Sequence, residues 1–175
     1  AAGGQKIPVI VLNAESDSAG AYNLSIDSVA MRSSLEWMFT EMGGRGEFVY
    51  FIFGGNSFHQ SVMEEVLKEY PGIHATSMPA DYQGNSFTPE SIVELVESNP
   101  NLGAMWTDEN VNVLMDGLGQ IEGDQFPLIL CGAREDFLLR WKEMKDTNPA
   151  FTCTSFIPPG GTAYEGIYVA YYMFT

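Results

Sequence analysis

Basic side chains are scarce in this sequence. Eight Lys and Arg stand against 23 Asp and Glu, for a formal net charge of -15 at pH 7. A field of that sign repels phosphate backbones and anionic headgroups, so nucleic acid and membrane surfaces are poor partners. Histidine is scarcer still. His59 and His74 are the only two, too few for a His-rich metal site. Two cysteines, Cys131 and Cys153, sit in the apolar contexts "LILCG" and "FTCTS" without C-x-x-C spacing. They read as buried thiols; a disulfide stays open and a metal site is disfavoured. No run approaches the roughly 20 apolar residues needed to cross a bilayer. The opening "AAGGQKIPVIVL" has neither a charged leader nor a cleavage pattern, so an exported form is expected to carry its leader outside this chain.

Enzyme signatures are missing as well. "FGGNSFHQ" (53–60) has two glycines after an apolar run, but not the G-x-G-x-x-G spacing or the Lys-Ser/Thr of a phosphate loop. There is no G-x-S-x-G elbow, no H-E-x-x-H, and no cysteine with a plausible His partner in sequence. Asp108 and Glu109 stand side by side, yet at the start of a helical pattern their expected work is capping and dipole complementation. An enzyme assignment has no positive support, and no cofactor is implied.

What the sequence does have is alternation. At 175 residues, 45% hydrophobic and 18% charged, it can bury a large globular core. Strand-type runs are "IPVIVL" (7–12), "EFVYFIF" (47–53), "GIHATSM" (72–78), "LGAMW" (102–106), "FPLILC" (126–131) and "AFTCTSF" (150–156). Several are apolar on consecutive residues, as strands buried on both faces must be. "GIHATSM" alternates instead, which predicts a place nearer a sheet edge. Between the runs lie helical stripes over 27–42, 57–70, 89–98, 109–120 and 135–145. Met31, Leu35, Met38 and Met42 form one such stripe, and Phe137, Trp141 and Met144 another. Thr88-Pro89, Pro71-Gly72 and Asn99-Pro100 punctuate them where helix ends belong. The nine methionines read as adaptable core filler. Strand and helix repeated with short links predict an α/β fold: a Rossmann-like, doubly wound parallel sheet with helices on both faces.

The C-terminal stretch "YEGIYVAYYMFT" is apolar nearly all round, and a helix of that kind must be buried by something. Either it packs in the chain's own core or it belongs against a lobe that this chain does not include; the second reading is preferred. Left uncovered, such a patch is expected to drive self-association.

Ligands of parallel sheets bind beyond the carboxyl ends of the strands. Those ends carry Asn13, the segment from Gly54 to His59, Asp81, Thr107 with Asp108, and Gly132 through Arg134 and Glu135. They form a lip of amides, hydroxyls and carboxylates.

The segments "KIPVIVLN", "YNLSIDSVAM", "GEFVYFIFGGNSFHQSVMEEVLKEYPGIHATSMPADY", "NPNLGAMWTDENVNVLMDGL" and "FPLILCGAREDFLLRWKEM" together resemble the ribose-type periplasmic sugar-binding proteins of ABC transporters. The likeness rests on order and spacing over nearly the whole chain. It implies two α/β lobes closing on a monosaccharide, with the closed form docking on a membrane permease. This chain resembles the second lobe. Residues 1–175 then form one lobe with a core of about 14–156, while strand 7–13 and helix 162–173 lie against an absent N-terminal lobe. The resemblance also implies an extracytoplasmic location, periplasmic or lipid-anchored, and a sugar or polyol ligand.

Carried over position by position, the family's sugar-binding strand end falls at Asn13, without its arginine. The Asp opening the next helix matches Asp27, and the loop-to-helix arginine becomes His59. The Asn before an Asp-Glu pair becomes Thr107, and a later pocket Asp falls at Cys131 or Gly132, with Arg134 and Glu135 as nearby candidates. Trp106 either stacks on an apolar sugar face or is a core residue at a strand end. The expected ligand groups are therefore Asn13, Asp27, His59, Trp106, Thr107, Arg134 and Glu135. Changing several pocket groups should change the ligand, because a site built for hydroxyls rejects molecules that leave its own polar groups unpaired. Two rivals share the pattern. One is the ligand-sensing domain of a lac-repressor-type regulator, disfavoured by the charge. The other is a flavodoxin-like or response-regulator-like domain, for which "VLNAES" offers only Glu15 and Asp17 nearby.

Overall fold

Consecutive residues of the strand Arg45–Phe53 enter two different cores. Phe48 and Tyr50 pack on one side with Met31, Leu35, Phe39 and Met63, while Val49 and Phe51 pack on the other with Ile92, Leu114 and Phe137. Side chains alternate across a strand, so a run apolar on every residue needs cover on both faces.

The computed structural model describes residues 9–12, 21–24, 27–53, 57–80, 86–107, 109–123, 126–132 and 135–156, together with 167, 168, 170 and 171. Along the chain come β1 (Val9–Leu12), β2 (Ala21–Leu24), α1 (Asp27–Glu41), β3 (Arg45–Phe53), α2 (Ser57–Glu69), β4 (Gly72–Ala80), α3 (Pro89–Ser98), β5 (Leu102–Thr107), α4 (Val111–Leu118), β6 (Leu128–Gly132), α5 (Glu135–Thr147) and β7 (Cys153–Phe156). Five strands form a parallel sheet in the order β4-β3-β5-β6-β7. The α/β architecture is the expected one: α1 and α2 cover one face and α3, α4 and α5 the other. Right-handed crossovers explain that division. The chain steps from β3 outward to β4 through α2, then reverses past β3 to β5, β6 and β7, so the later helices fall on the opposite face. β4 is an edge strand, as its alternating pattern predicted, and residues 74–77 are exposed.

Local chemistry fixes the ends of the helices. Thr88 caps α3 in a reciprocal box, its Oγ1 accepting from the Ser91 N–H at 3.2 Å while the Ser91 Oγ accepts from the Thr88 N–H at 3.0 Å. Beyond α1, Gly43 and Gly44 both take φ +70, a left-handed geometry that glycine adopts without steric cost. Their N–H groups donate to the carbonyls of Thr40 and Phe39.

Two details differ from the sequence reading. β2, with only four residues and a polar Asn23, was not anticipated; it pairs in parallel with β1 in a separate two-stranded sheet. α4 starts at Val111, two residues later than expected, because Asn110 sits at φ 49 and interrupts the helical path. The thiols resolve as well. Cys131 and Cys153 form no disulfide and are buried on neighbouring strands, out of step by two residues, since Cys131 faces Ser155 and Cys153 faces Ile129. Burial pushes the Cys153 thiol pKa up, which keeps it protonated and unreactive.

Of the C-terminal stretch, residues 167, 168, 170 and 171 are described and helical. Ile167, Tyr168 and Tyr171 are exposed by 65%, 65% and 61%, so the described part does not pack into the core.

Candidate functional site

The strand order reverses between β3 and β5. In an open parallel sheet that reversal leaves a crevice outside the carboxyl ends of the two strands, because their connecting helices depart on opposite faces. Three of the predicted residues lie along its edge. Trp106 and Thr107 end β5, and His59 lies in the first turn of α2, which follows β3.

Trp106 pairs in register with Tyr50 of β3. Its ring lies 6.4 Å from Tyr50 and 5.9 Å from His59, the latter edge-on at 82°. At 3% exposure the indole takes the core alternative of the two sequence readings, and stacking on a sugar face is not available to it in this conformation. His59 is half-buried and forms the outer layer over it.

Thr107 is fully buried. Its hydroxyl donates to the Glu109 carbonyl at 2.7 Å and accepts from the Glu109 N–H at 3.3 Å. This Ser/Thr-type turn competes with helix and holds the chain in a tight bend. It explains why a polar knot stands between a buried strand and an amphipathic helix: the hydroxyl shapes the lip. Asn110 occupies the N-cap position of α4 but makes no side-chain cap bond. The Asp108 side chain, expected as the cap, lies outside the described residues.

The lip continues to α5. Glu135 is its exposed first residue. Asp136 accepts from the Phe137 N–H at 3.0 Å and from Asn112 Nδ2 of α4 at 3.4 Å, and a carboxylate in a first helical turn suits the helix dipole. Sequence reading missed both Asn112 and Asp136. Their signal was weak, since each stands one or two residues inside a helix start where a polar residue is ordinary. Asn13 and Arg134 lie outside the described residues, as does the side chain of Asp27, the first residue of α1. Among the described residues no group of three or more His, Cys, Asp and Glu can hold a metal, and no helix is long and apolar enough to cross a membrane.

No protein-family model and no curated protein sequence matches the chain. Solved structures do. The sugar-binding protein of a sugar ABC transporter from Bacillus halodurans superposes with TM-score 0.65 at 19% identity, over 99% of this chain and 60% of that one. GanP, a glucose-galactose binding protein from Geobacillus stearothermophilus, gives 0.69 at 11%, over 98% and 62%. An ABC transporter periplasmic solute-binding protein from Actinobacillus succinogenes with bound D-allose gives 0.62 at 12%, over 98% and 64%. The chain has the fold of these sugar ABC transporter solute-binding proteins and spans about three-fifths of their length.

Proposed function

We propose that this chain is the C-terminal lobe of an extracytoplasmic solute-binding protein. It holds a sugar or sugar-like polyol against the carboxyl ends of β3, β5 and β6 and delivers it to the permease of an ABC importer, without catalysing a reaction. The observation that carries this reading is the coincidence of a polar lip with the switch point, in a fold whose solved neighbours are sugar-binding proteins. His59, Thr107 and Glu135 contribute from the described lip. Asn13, Asp27 and Arg134 complete the set of hydroxyl partners, and Trp106 backs it. Closure of the two lobes on the sugar is the signal that the permease reads.

The flanking elements fit the same proposal. The β1–β2 ribbon exposes Val9 and Tyr22, and the C-terminal helical residues expose Ile167, Tyr168 and Tyr171; in this reading both seat an N-terminal lobe. Residues 1–175 alone should therefore self-associate and bind no sugar measurably. Light scattering that shows a monodisperse monomer at high concentration contradicts that assignment.

The direct test is a thermal-shift screen of the intact gene product against pentoses, hexoses, polyols and nucleosides. A ligand at a hundred times its Kd adds about 2.7 kcal/mol to stability, enough to raise Tm by several degrees. A shift confined to one sugar class is expected. Melting curves that stay superimposed across the whole screen end the sugar-binding reading.

A further inference from the structure

Among the described residues one buried side-chain polar atom has no hydrogen-bond partner, Nε1 of Trp106. The indole N–H is a donor with no acceptor capacity. Burying it unpaired costs stability, and unpaired buried groups in folded proteins are few enough that each needs a reason. Packing accounts for the bulk of the ring, which belongs to the core around Tyr50, but not for the N–H, since a Phe there carries no orphan donor.

The location supplies the reason. Trp106 is the penultimate residue of β5, at the crevice where the strand order reverses and one residue before the Thr107 turn. The residues of β5 before it, Leu102 to Met105, are apolar, so the polar side-chain groups of the strand, those of Trp106 and Thr107, stand together at its carboxyl end. Nε1 is closed to solvent in this conformation, and the half-buried His59 ring packs edge-on against the indole. An acceptor from outside therefore reaches Nε1 only if a side chain around the indole moves, and the half-buried His59 is in ring contact with it.

We infer that Trp106 is a specificity-determining residue: its indole N–H donates to one oxygen of the bound sugar, and His59 swings aside to admit that oxygen. The inference rests on the sugar-binding reading. It assigns Trp106 a polar role in place of stacking. The cost of the unpaired donor is carried by the empty site and relieved on binding, which makes the contact selective, because a ligand lacking that oxygen leaves the donor orphaned.

The test uses the intact gene product with D-glucose, D-galactose, D-allose and D-arabinose, followed by the monodeoxy analogues of whichever binds most tightly. Wild type should lose about tenfold in affinity for one deoxy analogue, the size of one good hydrogen bond. Trp106→Phe should bind the parent sugar about tenfold more weakly and no longer distinguish it from that analogue. The smaller Phe ring leaves a cavity, so some fall in Tm of the unliganded variant is expected whichever role Trp106 plays. A purely structural role predicts that fall with discrimination intact.

Proton NMR of the wild type provides a check that does not depend on the variant's folding. Trp37, Trp106 and Trp141 each contribute an indole N–H signal, assignable by single Trp→Phe substitutions. Sugar should move the Trp106 signal downfield and slow its exchange with water. An unmoved signal, or a Trp106→Phe protein that retains wild-type discrimination, overturns the assignment. A wild type that binds none of these four and nothing else in the thermal-shift screen is a different result: the sugar-binding reading then falls, and this assignment with it.

Discussion

Phe39→Ala should lower the stability of the protein by about 3–5 kcal/mol, the usual cost of deleting a fully buried ring. Phe39 is completely buried on α1, edge-on to Phe48 at 5.2 Å and to Tyr70 at 5.4 Å. Each such aromatic pair adds about 0.5–1.5 kcal/mol beyond the burial of area. The surroundings cannot easily collapse into the space. Phe48 and Tyr50 belong to β3, which is held on both sides by β4 and β5, and Tyr70 lies in the turn before β4. Urea denaturation of the intact gene product measures the loss as a fall in midpoint at unchanged slope. A change below about 1 kcal/mol would mean that α1 does not pack as described.

The same substitution should reach the crevice. Ring contacts run from Phe39 to Phe48, on to Tyr50 at 5.8 Å, to Trp106 at 6.4 Å and to His59 at 5.9 Å. A cavity at the start of that chain loosens the support of the indole at its end. On the proposed function, sugar affinity should therefore fall further than the change in global stability alone explains.

Most of the fold was legible because its physics is local. Consecutive apolar residues in "EFVYFIF" state that a strand is covered twice, and helical stripes such as Met31, Leu35 and Met38 state which face does the covering. Alternation in "GIHATSM" placed β4 at the edge. Illegible features were short or conformational. β2 is too brief for a period to register, and the left-handed Asn110 that delays α4 leaves no mark in hydropathy.

The site was half legible for a related reason. A strand end followed by a polar cluster can be read from sequence, so Thr107 and Trp106 were marked. Whether Trp106 presents its ring to the crevice or packs into the core depends on Tyr50 and His59, which arrive from β3 and α2. That is a tertiary fact. The Thr107 hydroxyl likewise looked like a ligand group, and the structure shows it also binding its own backbone two residues on.

Gly117→Val should be the most damaging single substitution on the opposite face of the sheet. In isolation a glycine in a helix is a weakness, since alanine is favoured there by about 1 kcal/mol. Here the lack of a side chain sets how closely α4 approaches α3. A Cβ on Gly117 would stand 2.6 Å from Ile92 Cβ, 2.7 Å from the Pro89 carbonyl oxygen and 2.9 Å from Ile92 Cγ2. None of these can yield cheaply. Ile92 is fully buried, and Pro89 opens α3 at a start fixed by the Thr88 capping box. Overpacking of this kind costs about 1–3 kcal/mol and sometimes more, so alanine should lose on balance despite its helix propensity. Valine, with two further methyl groups, should cost about 3 kcal/mol or more and force the helices apart. α4 begins four residues after Thr107, so its displacement should disturb the lip and, on the proposed function, weaken sugar binding together with stability. Melting curves of Gly117→Ala and Gly117→Val measure the two steps. If alanine raises Tm, helix propensity outweighs the contact, and α3 and α4 are not as close as the glycine implies. A graded fall through alanine to valine, with sugar affinity falling in parallel, would show that packing beneath the sheet sets the geometry of the crevice above it.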